Sequence, residues 1–248
     1  MIKELEKNIR TGFIVLFLSC TVCAGFCQPS VVSDKDEGKA IVEELLNRLP
    51  EENNEILGLL KIRPADQDVV EIPIKMTTQV NADGWQDVYE TQPVVGREKQ
   101  VLIVKHKRHQ PNSYLFGNEK VSPLGPEKIY QTFAGSDFSC ADLGLEFLHW
   151  PSQKLIKKEM RKGRSCRVVQ STNPNPSLGA YARVLAWIDF ETGGIIRAEG
   201  YDQKNKLLKE FSIRKVDRDE GRLKEIEIRN DQTDSRTRLE FNLKVKDP

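Results

Sequence analysis

The chain has 248 residues, of which 38% are hydrophobic and 30% are charged, and its mean hydropathy is −0.50. This composition is typical of a soluble globular protein with a modest core. The formal net charge is only +1, so the chain lacks the overall positive field with which proteins bind nucleic acid or anionic membranes. Nucleic acid is therefore not expected as a partner, and recognition is expected to depend on shape and apolar surface.

The first 27 residues predict a signal peptide. A basic start leads into an apolar run over Gly12–Val22, and the polar residues Gln28 to Ser30 follow. This is the order of segments that a secretion machine recognises. Cleavage is expected after Cys27, with cleavage after Ala24 as the alternative. We therefore expect export to the periplasm, and association with the outer membrane stays open.

Two alternatives to a cleaved leader also stay open. An uncleaved membrane anchor needs about 18 or more apolar residues, and the run over Gly12–Val22 is shorter. A lipid attached at Cys20 or Cys27 would need small residues just before the cysteine, whereas Leu18 and Phe26 are large. A cleaved signal peptide followed by a single domain over residues 28–248 fits the sequence better than either.

Behind the leader only Cys140 and Cys166 remain. Two cysteines in an oxidising compartment usually form a disulfide, and closing this loop would stabilise the fold by about 3 kcal/mol. Two free buried thiols are the alternative. Neither cysteine stands near a residue that resembles an activating histidine, so a catalytic thiolate is not expected.

The segment Ala40–Leu49 predicts an amphipathic helix. Its apolar residues recur at helical spacing, Asp34 or Asp36 can cap its start, and Pro50 ends it. A helix of this kind must lay its apolar stripe on another element.

Most of the remaining chain predicts β-strands. Short segments rich in β-branched and aromatic residues are separated by turn residues, such as Asn81–Gly84 and Asn230–Asp234. Because long helices do not intervene, the pattern indicates an antiparallel meander rather than βαβ units. The predicted strands cover residues 56–62, 69–76, 84–90, 100–105, 113–116, 154–160, 165–171, 181–190, 195–201, 207–216, 223–229 and 237–245.

The late strands alternate between apolar and charged residues. Leu239 and Phe241 point to one side of their strand, with Glu240 between them on the other, so one face of the sheet is wet and the other is covered. A sheet of more than ten strands with one apolar face curls. The prediction is a mainly β (α+β) fold: a strongly curved antiparallel sheet, or incomplete β-barrel, with helices covering its concave face. Such a fold tends to leave a cavity, and its ordered core is expected over about residues 38–246.

A short helix is predicted to start after Ser139, with Asp142 at the capping-box position. The helical spacing places Leu143, Phe147 and Trp150 on one face of this segment. These apolar side chains are expected to face the covered side of the sheet.

Four stretches together resemble a known superfamily. They are residues 135–143 (Gly-Ser-Asp-Phe-Ser-Cys-Ala-Asp-Leu), 164–171, 181–189 with its Trp-Ile-Asp sequence, and 198–202. The chain is similar here to outer-membrane lipoprotein-sorting proteins of the LolA-like superfamily, in its uncharacterised bacterial branch, and the resemblance covers about residues 40–245. It implies an open, curved antiparallel sheet with helices on the concave side. It also implies an apolar hollow of the kind that holds lipoprotein acyl chains in the well-studied carriers.

The function expected from the resemblance is that of an exported, non-enzymatic carrier or chaperone. It would bind lipid or the acyl chains of lipoproteins and sort lipoproteins to the outer membrane. The alternative is an interaction or sensor module on the same scaffold, with an envelope protein as its partner. A monomer without a cofactor is expected.

The residues expected to line or cover the cavity are apolar. Leu143, Phe147 and Leu148 are the candidates for a lid, because they follow directly on the predicted helix start. Trp150 and Trp187 are each either core residues or part of the ligand slot.

No catalytic or metal site is predicted. The histidines are scattered along the chain: His106 and His109 belong to a basic run expected to form a solvated loop, and His149 lies far from them in sequence. Asp137 and Asp142 are expected to cap and brace the helix entry rather than to perform acid–base chemistry.

Overall fold

The computed structural model describes residues 33–108, 110–176, 180–217 and 223–241. The predicted signal peptide, its cleavage sites and His109 lie outside these residues. Within them, thirteen strands form one sheet. The strands are β1 Asn54–Arg63, β2 Val70–Asn81, β3 Gly84–Thr91, β4 Val101–Lys107, β5 Ser113–Gly117, β6 Val121–Pro123, β7 Ser152–Arg161, β8 Arg164–Thr172, β9 Arg183–Asp189, β10 Ile195–Tyr201, β11 Leu207–Val216, β12 Leu223–Asn230 and β13 Ser235–Phe241.

Few helices accompany the sheet in the described part of the chain. They are the α-helices α1 Asp34–Leu46 and α2 Cys140–Leu143, and the 3-10 helices Lys128–Tyr130 and Glu146–His149. None of the helices among the described residues is long and apolar enough to cross a membrane.

The sheet consists of two meanders, the first of strands β1 to β6 and the second of strands β7 to β13. They are joined where β1 pairs with β13. The order of strands is β6-β5-β4-β3-β2-β1-β13-β12-β11-β10-β9-β8-β7, and each described pair is antiparallel. Leu60 of β1 lies opposite Leu239 of β13 in the pairing that joins the meanders. The edge strands β6 and β7 do not pair with each other, so the structure confirms the prediction of a mainly β, incomplete barrel.

One face of the sheet, called the inner face, carries the apolar side chains. Leu60, Ile72, Ile228 and Leu239 are buried on it. The intervening residues form the outer face with charged pairs, such as Lys61 with Glu240 at 3.2 Å. The alternation that the sequence predicts for the late strands therefore extends to the early ones, because each strand has one wet side.

Two apolar clusters lie on the inner face. The central cluster packs strands from both meanders against residues that precede and include α2. Its members include Leu60, Ile74, Leu102, Phe133, Phe138, Cys140, Ile228 and Leu239. The α1 cluster packs α1 and the second 3-10 helix on strands β7 to β10. Its members include Ile41, Val42, Phe147, Leu148, Trp150, Leu155, Val169, Val184 and Ile188.

Helix α1 differs from its prediction at both ends. Ser33, rather than Asp34 or Asp36, is the N-cap, because its Oγ accepts a hydrogen bond from the Asp36 backbone N–H at 3.2 Å.

The helix crosses β7 closely at Gly38, where a Cβ atom would lie 2.5 Å from the backbone nitrogen of Leu155. A side chain at this position would push α1 away from the sheet edge.

The predicted disulfide between Cys140 and Cys166 is not formed. Both cysteines are free and buried. Cys140 belongs to the central cluster on the inner face, whereas Cys166 of β8 packs with Val168 and Trp187 on the outer face. The sheet itself separates the two thiols, so the structure has the two free buried thiols that were the alternative. Burial raises the pKa of the Cys140 thiol to about 12, which leaves it protonated.

Candidate ligand-binding cleft

The entry to α2 is built as the sequence predicts. The Ser139 backbone N–H donates to Asp142 Oδ2 at 2.8 Å, and the Asp142 backbone N–H donates to Ser139 Oγ at 3.1 Å. This reciprocal pair is a complete capping box. Because these hydrogen bonds pair the backbone N–H groups of the first turn, α2 can lie on an apolar surface without leaving those groups unpaired.

Residues 133–150 cover the inner face of the sheet and are called the covering segment. Asp142 connects this segment to the second meander. Its carboxylate accepts a hydrogen bond from the Tyr181 hydroxyl at 2.8 Å and forms an ion pair with Lys209 Nζ at 3.2 Å. Burial raises the pKa of Tyr181, and the Asp142 carboxylate raises it further, so the hydroxyl stays a donor. The carboxylate acts as a structural junction here.

Asp137 makes the corresponding connection to β13. Its side chain accepts hydrogen bonds from the hydroxyls of Ser235 and Thr237, and its backbone N–H donates to Thr237 Oγ1 at 2.9 Å. The prediction that Asp137 and Asp142 brace the helix entry is therefore confirmed. The partners of these carboxylates, in β11, β13 and the loop before β9, could not be read from sequence spacing.

The predicted single helical face over residues 143–150 is wrong. Helix α2 ends at Leu143, Leu145 has a left-handed backbone with φ of 49°, and a 3-10 helix starts at Glu146. The segment passes close to β5 at this break, where a Cβ atom on Gly144 would lie 2.3 Å from the Tyr114 hydroxyl. The Tyr114 hydroxyl in turn donates to Glu146 Oε2 at 2.7 Å.

The break divides the predicted lid residues between the two clusters. Phe147, Leu148 and Trp150 are buried together in the α1 cluster. Leu143 instead packs against the central cluster. Gln153 of β7 holds the 3-10 helix in place, because its Nε2 approaches the carbonyl oxygens of Phe147 and Trp150 at 3.2 and 3.0 Å.

Trp187 lies on the other side of the sheet. Its ring is on the outer face, with the guanidinium groups of Arg161 and Arg197 at 5.8 and 5.5 Å from the ring centroid. Its indole N–H donates to Glu159. The alternation along β9 places Ala186 and Ile188 inward and Trp187 outward, so Trp187 is not brought to the other candidate residues.

The largest opening beside the predicted lid is a cleft of about 630 Å³. It lies between α1, which packs on edge strand β7, and the ends of β3 and β4 in the other meander. The cleft therefore lies where α1 and the second 3-10 helix approach the ends of β3 and β4. Its lining residues are Lys39, Val42, Glu43, Leu45, Leu46, Asn47, Arg48, Trp85, His106, Lys107, Arg108, Gln110, Pro111, Gly144, Leu145, Leu148, His149, Trp150, Pro151 and Gln153.

The cleft has an apolar wall and a polar rim. Leu45 and Leu46 of α1 are half-buried, and Leu148 and Trp150 lie behind them in the same wall. A volume in this range is typical of small-molecule sites, and here the apolar wall is combined with a rim of polar and charged side chains. The α1 residues were not predicted to line a site, although their place at the edge of the apolar stripe was a usable signal.

A second, much smaller cavity lies deeper under the covering segment. It measures about 30 Å³ and is bordered by Leu145, Phe147, Tyr181 and Phe211, among others. This is the room of about one water molecule. Leu145 borders both the cleft and the cavity, so the two openings adjoin at this side chain.

His106 and His149 face the cleft from opposite walls. His106 belongs to β4 rather than to the predicted solvated loop. Its ring stacks on Trp85 with 4.5 Å between ring centroids, and its Nε2 lies 3.1 Å from Asp87 Oδ2. Burial lowers the pKa of His149 to about 4, so this imidazole is neutral near pH 7. Among the described residues no cluster of side chains could hold a metal ion.

A family model described as "Uncharacterized protein" matches residues 87–247 of the chain. No curated protein sequence matches it. A DUF1329 family protein from Desulfovibrio piger has a similar structure, with a TM-score of 0.69 at 16% identity, over 87% of this chain and 95% of that one.

Two further solved structures share the fold. An outer membrane lipoprotein-sorting protein domain from Vibrio parahaemolyticus has a TM-score of 0.70 at 17% identity, over 83% of this chain and 90% of the other. A LolA superfamily protein from Nitrosomonas europaea has a TM-score of 0.61 at 15% identity, over 85% and 94%. These likenesses confirm the fold that the sequence resemblance implied.

Proposed function

The chain belongs to the family of uncharacterized proteins whose model matches residues 87–247, and on the basis of its LolA-like fold we propose that it is a non-enzymatic carrier. The proposed cargo is a lipid or the acyl chain of a lipoprotein, carried through the periplasm during lipoprotein sorting to the outer membrane. A signal peptide over residues 1–27 and one domain over residues 28–248 are parts of this proposal.

The observation that carries the proposal is the cleft between α1 and the ends of β3 and β4. An acyl chain needs an apolar surface, and the side chains of Leu45, Leu46, Leu148 and Trp150 line an opening of about 630 Å³. The predicted lid residue Phe147 lies directly beneath, against the small cavity. A chain could enter along α1 and displace Leu145 toward solvent.

Burial of methylene groups would supply the binding free energy. Each sequestered CH₂ contributes about 0.8 kcal/mol, so roughly ten of them contribute about 8 kcal/mol, the free energy of micromolar binding. The cost of ordering the chain and loop lowers this value. A carrier needs binding of this moderate strength, because its cargo must leave again at the receiving membrane.

Leu145→Asn tests the proposal with little risk to the fold. Leu145 is 39% exposed, and asparagine adopts the left-handed backbone more readily than leucine. We expect the variant to fold normally and to bind a fluorescent fatty acid about tenfold more weakly, because a polar amide then separates the cleft from the cavity. The measurement is displacement of the fluorescent fatty acid from the purified mature protein.

Leu57→Asn is the matched control. Leu57 is also 39% exposed but belongs to β1, and its substitution should leave the affinity for the fatty acid unchanged. Native mass spectrometry and lipid extraction of the unmodified protein complete the test. A protein that purifies empty and excludes such probes would rule out the carrier, and capture of one defined envelope protein would then favour the interaction module.

A further inference from the structure

The charged residues around the cleft are mostly cations. Lys39, Arg48, Lys107 and Arg108 line it, against Glu43 as the single carboxylate in the lining. The cleft thus carries a formal charge of +3, the difference between four cations and one anion, in a chain whose whole formal net charge is +1. The positive charge is concentrated at the opening that the carrier proposal assigns to cargo.

The cations differ in whether they already have partners. Arg48 forms an ion pair with Glu44 at 2.8 Å, and Lys39 lies 3.6 Å from Glu43. By contrast, Lys107 and Arg108 have no ion pair with any residue that the structure describes, and both are exposed. The unneutralised charge therefore lies at the end of β4, across the opening from α1.

Two histidines, His106 and His149, also line the cleft. His149 is held neutral by its lowered pKa, which burial causes. His106 is engaged with Asp87 and Trp85. The positive end of the cleft is thus formed by Lys107 and Arg108, and its other wall is the apolar surface of Leu45, Leu46, Leu148 and Trp150.

We infer that the cleft binds a lipid with an anionic headgroup, whose acyl chain lies on the apolar wall while its phosphate contacts Lys107 and Arg108. An arginine guanidinium can hold two phosphate oxygens at once, and a lysine adds a mobile positive charge. This inference rests on the proposed carrier function and names the class of its cargo. A lipid fits better than an acidic peptide, because the two cations without ion pairs are adjacent to each other in a cleft that also presents Leu45, Leu46, Leu148 and Trp150, whereas an acidic peptide would need free cations spread along its length.

Two lysophospholipids with the same acyl chain separate the headgroup from the tail. Lysophosphatidylglycerol is anionic and lysophosphatidylcholine is zwitterionic, and their binding to the mature protein is measured by calorimetry below the concentration at which they form micelles. We expect the anionic lipid to bind about tenfold more tightly at low salt, since each exposed contact contributes a few-fold. The preference should shrink at high ionic strength.

The double variant Lys107→Gln/Arg108→Gln should reduce this preference to about twofold or less while leaving the zwitterionic lipid unaffected. The matched control is Lys204→Gln/Lys206→Gln, which removes the same charge from the exposed turn between β10 and β11. The control should keep the full preference. It distinguishes a local headgroup contact from the field of the whole protein.

Each result decides the inference. Equal binding of the two lipids, or a preference that survives in the double variant, would overturn the headgroup site and leave the carrier standing. Failure of both lipids to bind would remove the carrier proposal together with the inference. Binding of an acidic peptide in place of both lipids would also overturn it.

Discussion

The two apolar clusters of the inner face differ in how firmly their cover is attached. The central cluster contains Phe133 and Phe138, which are 0% and 2% exposed. The part of the covering segment that lies on this cluster is connected to the sheet through Asp137 and Asp142. The α1 cluster borders the cleft, and its cover includes the exposed Leu145. The comparison suggests a division of roles, in which a closed core holds the curved sheet while the adjoining opening takes the cargo.

The largest expected effect comes from emptying the central cluster. Phe133→Ala should lower the free energy of unfolding by about 4 kcal/mol, because the rigid surroundings cannot close the space left behind. Phe147→Ala in the α1 cluster should cost about 3 kcal/mol, since the 3-10 helix beside the cleft can settle into the gap. Urea unfolding of both variants measures the difference, and equal losses would contradict the division between the two clusters.

A smaller effect should follow from the pH. The pKa of His149 in the folded protein is lowered from 6.5 to about 4, so the unfolded chain takes up the proton first as the pH falls. The free energy of unfolding should therefore decrease by about 1–2 kcal/mol as the pH falls from 7 to 5. The stability that neutral His149 allows is fully present only above pH 6.5. Urea titrations at several pH values measure this slope.

His149→Gln is the control for this pH dependence, because glutamine does not titrate. The variant should lose the part of the slope that His149 causes. Glu146 acts in the opposite direction, since burial raises its pKa and the folded protein then binds its proton more readily. Both proteins contain Glu146, so the difference between their slopes reports His149 alone. Identical slopes would contradict the assignment.

The smallest expected effect is the release of the 3-10 helix by Gln153→Met. The substitution keeps the length of the side chain but removes the amide that approaches the carbonyls of Phe147 and Trp150. We expect a loss of roughly 1 kcal/mol in the free energy of unfolding. Hydrogen exchange should become faster in residues 146–150 and stay unchanged around Phe138. Faster exchange around Phe138 as well would show that the two covers open together.

Local sequence signals predicted several parts of this molecule correctly. The antiparallel meander was visible in the short apolar segments and their turns, and the capping box was visible in Ser139 and Asp142 at their fixed spacing. Both depend on residues that are near each other in the chain, so short-range patterns suffice. The same applies to the burial of Phe147 and Leu148, which follows from their apolar character.

Most of the wrong predictions concern contacts between distant residues. Helical spacing continued past Leu143, but the hydroxyl of Tyr114 in β5 leaves no room for a side chain at Gly144. Trp187 was predicted to line the ligand slot or the core, and Cys166 to form a disulfide, although the sequence did not show which face of the sheet each residue occupies. In a strand a shift of one position reverses the face, and the sequence around Trp187 is apolar on both sides.

The amino-acid sequence by itself determined that this protein is an antiparallel β-sheet with one covered face, because alternation and turn chemistry act over a few residues. Only the tertiary structure decided where the sheet stays open and which side chains meet there. Lys107 and Arg108 line the same cleft as Leu45 and Leu46, although their two meanders are joined in the sheet only where β1 pairs with β13. That pairing joins residues far apart in the chain, and no local pattern encodes the register in which they meet.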